Sequence, residues 1–485
     1  MKQSKVLIIG SGFGGLSAAI ELRKIGVEDF VILERRSFMG GTWCQNTYPG
    51  AQVDVQSPLY SLSSELYDWS EIFAPQAELK AYTEHIIEKH GLRAKTILEA
   101  NVTRADWDDE QKQWIVRTES KGEFRGQYLI NASGPLSTPV IPAFEGRESF
   151  QGAQFHTNDW DHGYDYKGKR VAVIGSGASG AQVIPAIAED VAELHVFQRT
   201  PHWVMPRPDY HFNKLERAVL RNKLVHRLLR IIIYWILESR VIAFKYSKAL
   251  MNAFAKSRAL MLLRWQVKDP ALRAKLTPDY TIGCKRIILS NRLYPALCRD
   301  NVTLHADGEG IRRITPTGIE TLDGTHVDLD LIVYATGFNP TEGITSCPVI
   351  GRNGAMLAKF WERYPRAYMG TMMPGFPNFF VITGPNTGIG HTSAIFIIES
   401  QMRYIMKCIR ETQKRGMHAV EVLDQAEDRY TTMIHSEMER TVWKAGGCKS
   451  WYQSEDGHVI AMFPGFSFTF RRLTGRFKPD HHAFA

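Results

Sequence analysis

The sequence predicts an α/β protein with two parallel β-sheets and a helical insertion. Two segments show the order strand, glycine-rich turn, helix, strand, which is typical of parallel sheets covered by helices on both faces. A third segment, residues 211–268, has apolar side chains at three- and four-residue spacing, which predicts helices. A chain of 485 residues is long enough for two or three domains with large cores.

The first strand–turn–helix unit spans residues 5–34. A strand is predicted over residues 5–9, a helix from the turn to about Ile25, and a second strand over residues 30–34. The turn consists of Gly10, Ser11, Gly12, Phe13, Gly14 and Gly15. Glycines at these positions permit a tight turn and let a pyrophosphate approach the backbone at the helix N-terminus. The unit is therefore predicted to bind a dinucleotide.

The second unit repeats this order over residues 170–199. Strands are predicted over residues 170–174 and 194–199, and Pro185 should kink or shorten the intervening helix near its start. The turn consists of Gly175, Ser176, Gly177, Ala178, Ser179 and Gly180. A glycine turn that served only helix packing would not explain why both turns lie between a strand and a helix that leads to a second strand. A second dinucleotide site is therefore predicted.

One residue distinguishes the two sites, and it follows the third glycine by 19 positions in both. In the first unit it is Glu34, whose carboxylate can accept hydrogen bonds from ribose hydroxyls and repels a 2′-phosphate. In the second unit it is Arg199, whose guanidinium suits a 2′-phosphate and is followed by Thr200. The first site is therefore predicted to hold FAD, with NAD less favoured, and the second NADPH rather than NADH.

Between the two units the pattern predicts shorter elements. A helix is expected over about residues 76–90, and short strands near residues 114–118 and 127–131.

Two longer motifs resemble a known family. Residues 40–54, GGTWCQNTYPGAQVD, and residues 150–161, FQGAQFHTNDWD, match two fingerprints of the type I Baeyer–Villiger monooxygenases at every specified position. Shorter segments also resemble that family and extend the resemblance over most of the chain: FQRTP at 197–201, GCKR at 283–286, ATGF at 335–338, GPN at 384–386 and KSWY at 449–452. Related N/S-oxygenating flavoproteins close the second motif with a different aromatic residue, so Trp160 favours the Baeyer–Villiger branch.

The resemblance implies an NADPH- and O2-dependent flavin monooxygenase that converts ketones to esters or lactones through an anionic C4a-peroxide of the flavin. It implies that Arg286 supplies the fixed cation for this chemistry, and that Asp54 holds Arg286 in place; a turn or cap role for Asp54 is the alternative. Lys285 resembles a second contact to the 2′-phosphate. His156 resembles a residue that couples domains. The implied partners are a small-molecule ketone and O2.

The predicted site residues form two sets, besides the catalytic pair Arg286 and Asp54. The FAD set is Gly10, Gly12, Gly14, Gly15, Glu34, Thr42, Trp43, Asp54 and Val102. The NADP set is Gly175, Ser176, Gly177, Ala178, Ser179, Gly180, Arg199, Thr200, Lys285, Arg286 and Trp451. For Trp451 a role in a hydrophobic core is an open alternative.

The resemblance also divides the chain into domains. The expected segments are an FAD-binding domain at 1–140 and 335–485, an NADPH-binding domain at 141–208 and 281–334, and a helical insertion at 209–280. Residues 201–270 contain 14 Lys and Arg against 4 Asp and Glu, while the whole chain has a net charge of +8. We expect these cations to be mostly solvated. Peripheral membrane contact through residues 231–235 is possible but not favoured, and no motif predicts a nucleic-acid partner.

Three other functions share parts of this pattern. An N/S-oxygenating flavoenzyme gains nothing from an Asp–Arg pair beside the flavin. A disulfide reductase needs a cysteine pair next to the flavin, and the six cysteines contain no closely spaced pair. The same spacing argues against a zinc site. A non-catalytic NADPH-sensing or membrane-associated protein is the third alternative. The small number of cysteines, the lack of a targeting signal and a longest apolar run of only residues 231–237 predict a cytoplasmic protein.

Overall fold

The computed structural model describes residues 2–306, 308–339, 344–448, 450–454 and 456–485, apart from the side chain of Lys248. Lys449, the first residue of the KSWY segment, lies outside the described residues. Two five-stranded parallel sheets form the framework, so the predicted α/β class with two parallel units is confirmed.

The first parallel sheet contains the first glycine turn. Its strands, in spatial order, are Phe379–Val381, Tyr128–Asn131, Val6–Ile9, Phe30–Leu33 and Thr96–Ile97. All four residues of Val6–Ile9 are buried, as expected for a strand covered on both faces. The helix Phe13–Lys24 follows the turn and packs on the long helix Ala394–Lys414. This sheet therefore joins the beginning of the chain to its last third.

The second parallel sheet contains the second glycine turn. Its strands, in spatial order, are Val302–His305, Glu193–Phe197, Arg170–Ile174, Leu331–Tyr334 and Ala153–His156. The helix Ala178–Ile187 contains Pro185 in its last turn, whereas the prediction placed the disturbance near the helix start. Proline removes the hydrogen bond to the carbonyl four residues earlier, and this helix ends two residues later.

The remaining elements surround these two sheets. A mixed sheet has the order Lys2–Gln3, Glu123–Gly126, Gln113–Thr118, Val102–Asp108 and Val349–Ile350. Smaller sheets pair Val204–Met205 with Ile288–Leu289, Val420–Val422 with His482–Phe484, and Ile311–Thr315 with Gly318–Thr321 and His326–Asp328. The other helices outside the insertion are Thr42–Gln45, Gln76–Lys89, Leu293–Leu297, Leu357–Phe360, Asp424–Met438, Val442–Ala445 and Ser467–Gly475.

The insertion is helical, as predicted. Its α-helices are Lys214–Leu220, Lys223–Glu238, Lys248–Leu250, Ser257–Gln266 and Pro270–Lys275, with π-helical turns at Ile242–Tyr246 and Met251–Lys256. Most of its cations are exposed, but so is much of the apolar stripe that predicted the helices, including Leu215, Leu224 and Leu228. The expectation of a mainly charged solvated face is therefore incomplete. None of the described helices has the length and apolar content needed to cross a membrane.

Candidate functional site

The first glycine turn is closed by contacts that only glycine allows. Gly10 has φ +94, and a Cβ on Gly15 would lie 2.0 Å from the carbonyl oxygen of Gly10. The first fingerprint covers this turn, because a Cβ on Gly41 would lie 2.7 Å from the Cα of Gly12. The helix Phe13–Lys24 begins after Gly12, and Gly12 has no side chain that could cap the helix. The N–H groups of the first helical turn therefore stay available to an anion.

Glu34 is held rigidly at the end of the second strand. Its side chain is buried and accepts hydrogen bonds from the backbone N–H of Ser11 at 2.9 Å, from the Ser11 hydroxyl at 2.6 Å and from the N–H of Arg36 at 3.0 Å. Because Ser11 belongs to the glycine turn, these bonds tie the carboxylate to the turn. The position of the acidic group is therefore set before a ligand arrives.

Most of the predicted FAD residues line one cleft beside this turn: Gly10, Gly12, Gly14, Glu34, Thr42, Trp43 and Val102. Gly15 shapes the turn behind the cleft, and Asp54 lies in a neighbouring cleft. The shape of the turn, the free helix end and the buried acid fit a dinucleotide without a 2′-phosphate.

Sequence reasoning missed several residues of the first cleft. Ser133 follows the strand Tyr128–Asn131, and Thr383 follows the strand Phe379–Val381. Both lie at carboxyl ends of parallel strands, where ligands of such sheets bind, so strand ends were the available signal. Tyr60 lines the same cleft and accepts a hydrogen bond from Nε1 of Trp43 at 3.1 Å. Burial raises the pKa of Tyr60 to about 12, so its hydroxyl stays protonated.

The second glycine turn repeats the geometry of the first in a more open setting. Gly175 has φ +110, and a Cβ on Gly180 would lie 2.2 Å from the carbonyl oxygen of Gly175. Nothing lies within 4 Å of a Cβ placed on Gly177, where the helix begins. The hydroxyl of Ser176 donates to the carbonyl of Thr200 at 3.5 Å, which joins the turn to the end of the next strand.

The predicted 2′-phosphate residues come together beside this turn. Arg199 is exposed, and the pKa of Lys285 is lowered by partial burial and by the nearby charge of Arg199. The ammonium of Lys285 also lies 5.0 Å from the ring centre of Tyr280. Two cations this close repel each other unless an anion lies between them, so the pair fits a bound phosphate group.

Arg286 and Asp54 are in direct contact although they are 232 positions apart. Nε of Arg286 donates to Oδ2 of Asp54 at 2.7 Å, and the second nitrogen, Nη2, lies 2.6 Å from the same oxygen. Asp54 raises the pKa of Arg286 above its already high usual value, so the guanidinium is charged at every working pH. The pair lines a cleft together with Ala178, at the beginning of the second nucleotide helix.

The Arg286–Asp54 pair lies between aromatic residues of both halves of the site. Its charges act on Tyr60, which lines the first cleft, and on buried Tyr452, whose pKa burial raises. His202 lies beside Lys285 and Arg286, and burial lowers its pKa to about 4, so it adds no positive charge. Tyr452 and His202 belong to or adjoin the family-like segments, but their chemistry was not predicted.

The two fingerprints meet at the junction of the two nucleotide-binding units. Trp160 shares a buried core with Tyr48, whose hydroxyl donates to Oε1 of Gln182 at 2.9 Å in the second nucleotide helix. Nδ1 of His156 accepts the N–H of Asn158 at 3.0 Å, and Gln45 donates to the carbonyl of Asn158 at 2.5 Å. His156 therefore holds the segment of Asn158, through which the second fingerprint contacts the first, and its coupling role stays a prediction.

A disulfide lies next to the charged pair. Cys284 and Cys448, 164 positions apart, are bonded, although the six cysteines contain no closely spaced pair. Close spacing therefore could not reveal this pair, because the fold brings the two cysteines together. The bond ties the loop of Lys285 and Arg286 to the segment before Trp451. Trp451 is 45% exposed, so the alternative of a core role is also wrong, and it lines neither of the two clefts described above.

Comparisons with known proteins agree with this geometry. The family described as pyridine nucleotide-disulphide oxidoreductase matches residues 7–232. A Baeyer–Villiger monooxygenase of Pseudomonas aeruginosa is 42% identical over 98% of this chain and 90% of its own length. A solved structure titled as oxidized steroid monooxygenase bound to NADP has a TM-score of 0.89 at 31% identity, and covers 100% of this chain and 99% of its own. The structure of OTEMO in complex with FAD and NADP has a TM-score of 0.90 at 28% identity, with 99% of both chains covered.

Proposed function

The chain belongs to the Baeyer–Villiger monooxygenase family, and we propose that Arg286, positioned by Asp54, is the cation on which its oxidation of ketones depends. The enzyme is an FAD-dependent monooxygenase that uses NADPH and O2. Its substrates are small-molecule ketones. Bound FAD, once reduced by NADPH, supplies the activated oxygen, and the residues of the chain bind, orient and electrostatically stabilise the reacting groups.

We assign the first cleft to FAD. The open helix end after Gly12 would hold the pyrophosphate, and Glu34, already fixed by Ser11, would accept hydrogen bonds from the adenosine ribose. Thr42, Trp43 and Val102 complete the wall of the cleft. The assignment is supported by the fixed carboxylate of Glu34, which would repel the extra phosphate of NADP.

We assign the second turn to NADPH. Gly175 to Gly180 would present the helix N-terminus to the pyrophosphate, with Ser176, Gly177, Ala178 and Ser179 as the contacting backbone. Arg199, Thr200 and Lys285 would surround the 2′-phosphate. The exposure of Arg199 suits a coenzyme that enters and leaves in each turnover. Trp451, exposed beside Tyr452 with ring centres 4.5 Å apart, would contact the nicotinamide half.

The function of Arg286 is to stabilise negative charge that develops on the oxygen atoms of the reacting groups. A guanidinium cannot lose its proton, and two contacts to one carboxylate oxygen limit its rotation. Asp54 is thus a positioning residue. The single observation that carries this proposal is the Arg286–Asp54 contact between Tyr60 of the first cleft and the beginning of the second nucleotide helix.

The proposal is tested with Arg286→Ala. We expect purified Arg286→Ala to keep bound FAD, because Arg286 does not line the first cleft, but to lose ester formation at least about hundredfold. Flavin absorbance and gas chromatography of the product measure the two effects. Arg292→Ala is the matched control, since it removes another exposed arginine from the same cleft without touching Asp54. Ester formation by Arg286→Ala at the rate of the control would refute the assignment.

The two parallel sheets also support a proposed division of the chain into domains. We propose an FAD-binding domain of residues 1–140 and 335–485, an NADPH-binding domain of residues 141–208 and 281–334, and an insertion of residues 209–280. The strand orders support this division, because the first sheet takes strands from before residue 132 and from Phe379–Val381, while the second uses only strands between Ala153 and Tyr334.

A further inference from the structure

The helix Lys223–Glu238, called the insertion helix below, has a reversed distribution of polar and apolar side chains. The side chains of Leu224, Leu228, Ile231 and Trp235 are 74%, 58%, 53% and 56% exposed. Their spacing of four, three and four residues places them on one face of the helix. The opposite side buries His226, Ile233 and Leu237, and the buried Glu238 lies in the last turn, where the exposed face ends. An ordinary surface helix would show the opposite arrangement.

Buried polar contacts hold the insertion helix in this orientation. Nη1 of Arg230 donates to the carbonyls of Pro58 and Ser61, each at 2.8 Å. Glu238 accepts the backbone N–H of Ser467 at 2.5 Å and its hydroxyl at 2.7 Å. Rotating the helix to bury Leu224 and Trp235 would leave both buried charges without partners. The apolar face therefore stays outward in the folded chain.

The exposed face continues beyond the helix. The ring of Trp235 lies 5.9 Å from that of Phe468, Phe468 lies 4.8 Å from Phe466, and Phe466 lies 6.3 Å from Tyr246. We define the apolar band as Leu224, Leu228, Ile231, Trp235, Tyr246 and Phe468, all exposed. Single exposed apolar residues are common, but a connected band of this kind marks a contact surface.

The charges around the apolar band are mostly positive. Arg221, Lys223, Arg227 and Arg240 are exposed on or beside the insertion helix. Two of the nearby cations have acidic partners outside the insertion, Arg221 with Asp68 at 2.9 Å and Lys245 with Glu437 at 2.5 Å. Among the described side chains of residues 211–268, no acidic one is exposed. Glu238 is buried, and Glu216 is half-buried in a capping box with Asn213. The partner must therefore offer apolar surface and negative charge together.

We propose that the helical insertion docks on an anionic lipid bilayer through the apolar band. The leucine and isoleucine side chains enter the boundary of the acyl chains, Trp235 and Tyr246 lie at the interface, and the flanking cations meet lipid phosphates. A second copy of this chain fits less well, because it would bring two positively charged surfaces together. Nucleic acid offers negative charge but no place for Leu224, Leu228 and Ile231.

The test is co-sedimentation of the FAD-loaded enzyme with large vesicles. One set contains phosphatidylcholine only, and the other contains equal parts of phosphatidylcholine and phosphatidylglycerol. We expect strong binding to the anionic vesicles and at least tenfold weaker binding to the neutral ones. The pair Ile231→Ser with Trp235→Ser, and separately the pair Arg221→Glu with Arg227→Glu, should each weaken binding to anionic vesicles at least tenfold.

Matched controls separate this surface from other exposed apolar residues. The pair Leu322→Ser with Met356→Ser also replaces two exposed apolar side chains, and it lies outside the insertion. This control should bind anionic vesicles like the wild type, and all variants should oxidise NADPH at the wild-type rate with a water-soluble ketone. Because the replaced side chains are exposed, every variant is expected to fold.

Three results would overturn the proposal. The first is wild-type protein that stays in the supernatant with anionic vesicles. The second is equal binding by the wild type and both insertion variants, which would place the lipid contact elsewhere. The third is a dimer in size-exclusion chromatography with light scattering that dissociates in the Ile231→Ser and Trp235→Ser variant while no vesicle binding occurs. That result would assign the apolar band to a second copy of the chain.

Discussion

The two dinucleotide sites share one backbone design but differ in how far the rest of the chain encloses them. Both turns begin with a glycine of positive φ, at +94 for Gly10 and +110 for Gly175, and both bring a later glycine against the first one. The first turn is covered by Gly41 and faces the buried, fixed Glu34. The second is open at Gly177 and ends near exposed Arg199. Similar local geometry can therefore serve both of the proposed sites, one for FAD and one for NADPH, and the surroundings of each turn distinguish them.

Among the changes that compare the two glycine turns, Gly15→Ala in the enclosed site should have the largest effect. A Cβ there would lie 2.0 Å from the carbonyl oxygen of Gly10, so the turn must shift. We expect the purified variant to contain at least about tenfold less FAD than the wild type, a loss of roughly 1.4 kcal/mol or more in binding. Flavin absorbance per protein measures this. Gly475→Ala is the control, because nothing lies within 4 Å of its added Cβ.

The equivalent change in the open site, Gly180→Ala, should weaken the binding of NADPH without weakening the binding of FAD. The added Cβ would lie 2.2 Å from the carbonyl oxygen of Gly175, so the pyrophosphate turn of the second unit shifts. We expect FAD to remain bound while the KM for NADPH rises at least about tenfold. Steady-state NADPH oxidation gives the KM. If Gly180→Ala lost FAD as completely as Gly15→Ala, the proposed independence of the two sites would be wrong.

Arg199→Ala tests how the second site distinguishes NADPH from NADH. Loss of a charge-assisted hydrogen bond of about 1.5–3 kcal/mol should raise the KM for NADPH roughly ten- to hundredfold. The KM for NADH should change little, because NADH carries no 2′-phosphate. The ratio of the two KM values is the measurement. An equal rise for both coenzymes would show that Arg199 does not recognise the phosphate.

For Lys285 we expect a smaller effect on the KM for NADPH, and this effect depends on pH. Its folded-state pKa is below the ordinary 10.5, first because of partial burial and then because of Arg199. The ammonium therefore loses its proton at a lower pH than an ordinary lysine does, and the KM for NADPH should rise severalfold as the pH approaches 10.5 from below. Lys285→Arg should flatten this rise, because arginine stays charged. An identical alkaline profile in the two proteins would contradict the assignment.

The smallest expected effect concerns the disulfide. Cys448→Ser frees the loop of Lys285 and Arg286 from the segment before Trp451. We expect the KM for NADPH to rise by no more than about threefold and the FAD content to stay unchanged, since neither cysteine lines the first cleft. A reducing agent should reproduce the rise in the wild type and add nothing to the variant. Cys298→Ser, which removes an exposed free thiol, is the control.

Much of the fold was predictable because its signals are local. The helix Phe13–Lys24 and the strand Arg170–Ile174 lie where the pattern predicts them, since glycine turns and runs of apolar residues leave the backbone few alternatives. The effect of Pro185 was predicted in the right helix but at the wrong end. In the site, the glycines, Glu34 and Arg199 followed from spacing alone. Tyr60, His202 and Ser133 did not, because a residue's chemistry depends on neighbours that spacing does not reveal.

By itself, the sequence determined the two dinucleotide turns and the charge that distinguishes them, because both depend on residues that are close along the chain. The family resemblance, and not local spacing, predicted that Asp54 meets Arg286 across 232 positions, and the tertiary structure contains this contact. Only the tertiary structure decided that Cys284 meets Cys448 across 164 positions. It also decided which side of the insertion helix faces outward. Apolar periodicity shows which residues share a face, whereas the buried partners of Arg230 and Glu238 determine which face turns to the core.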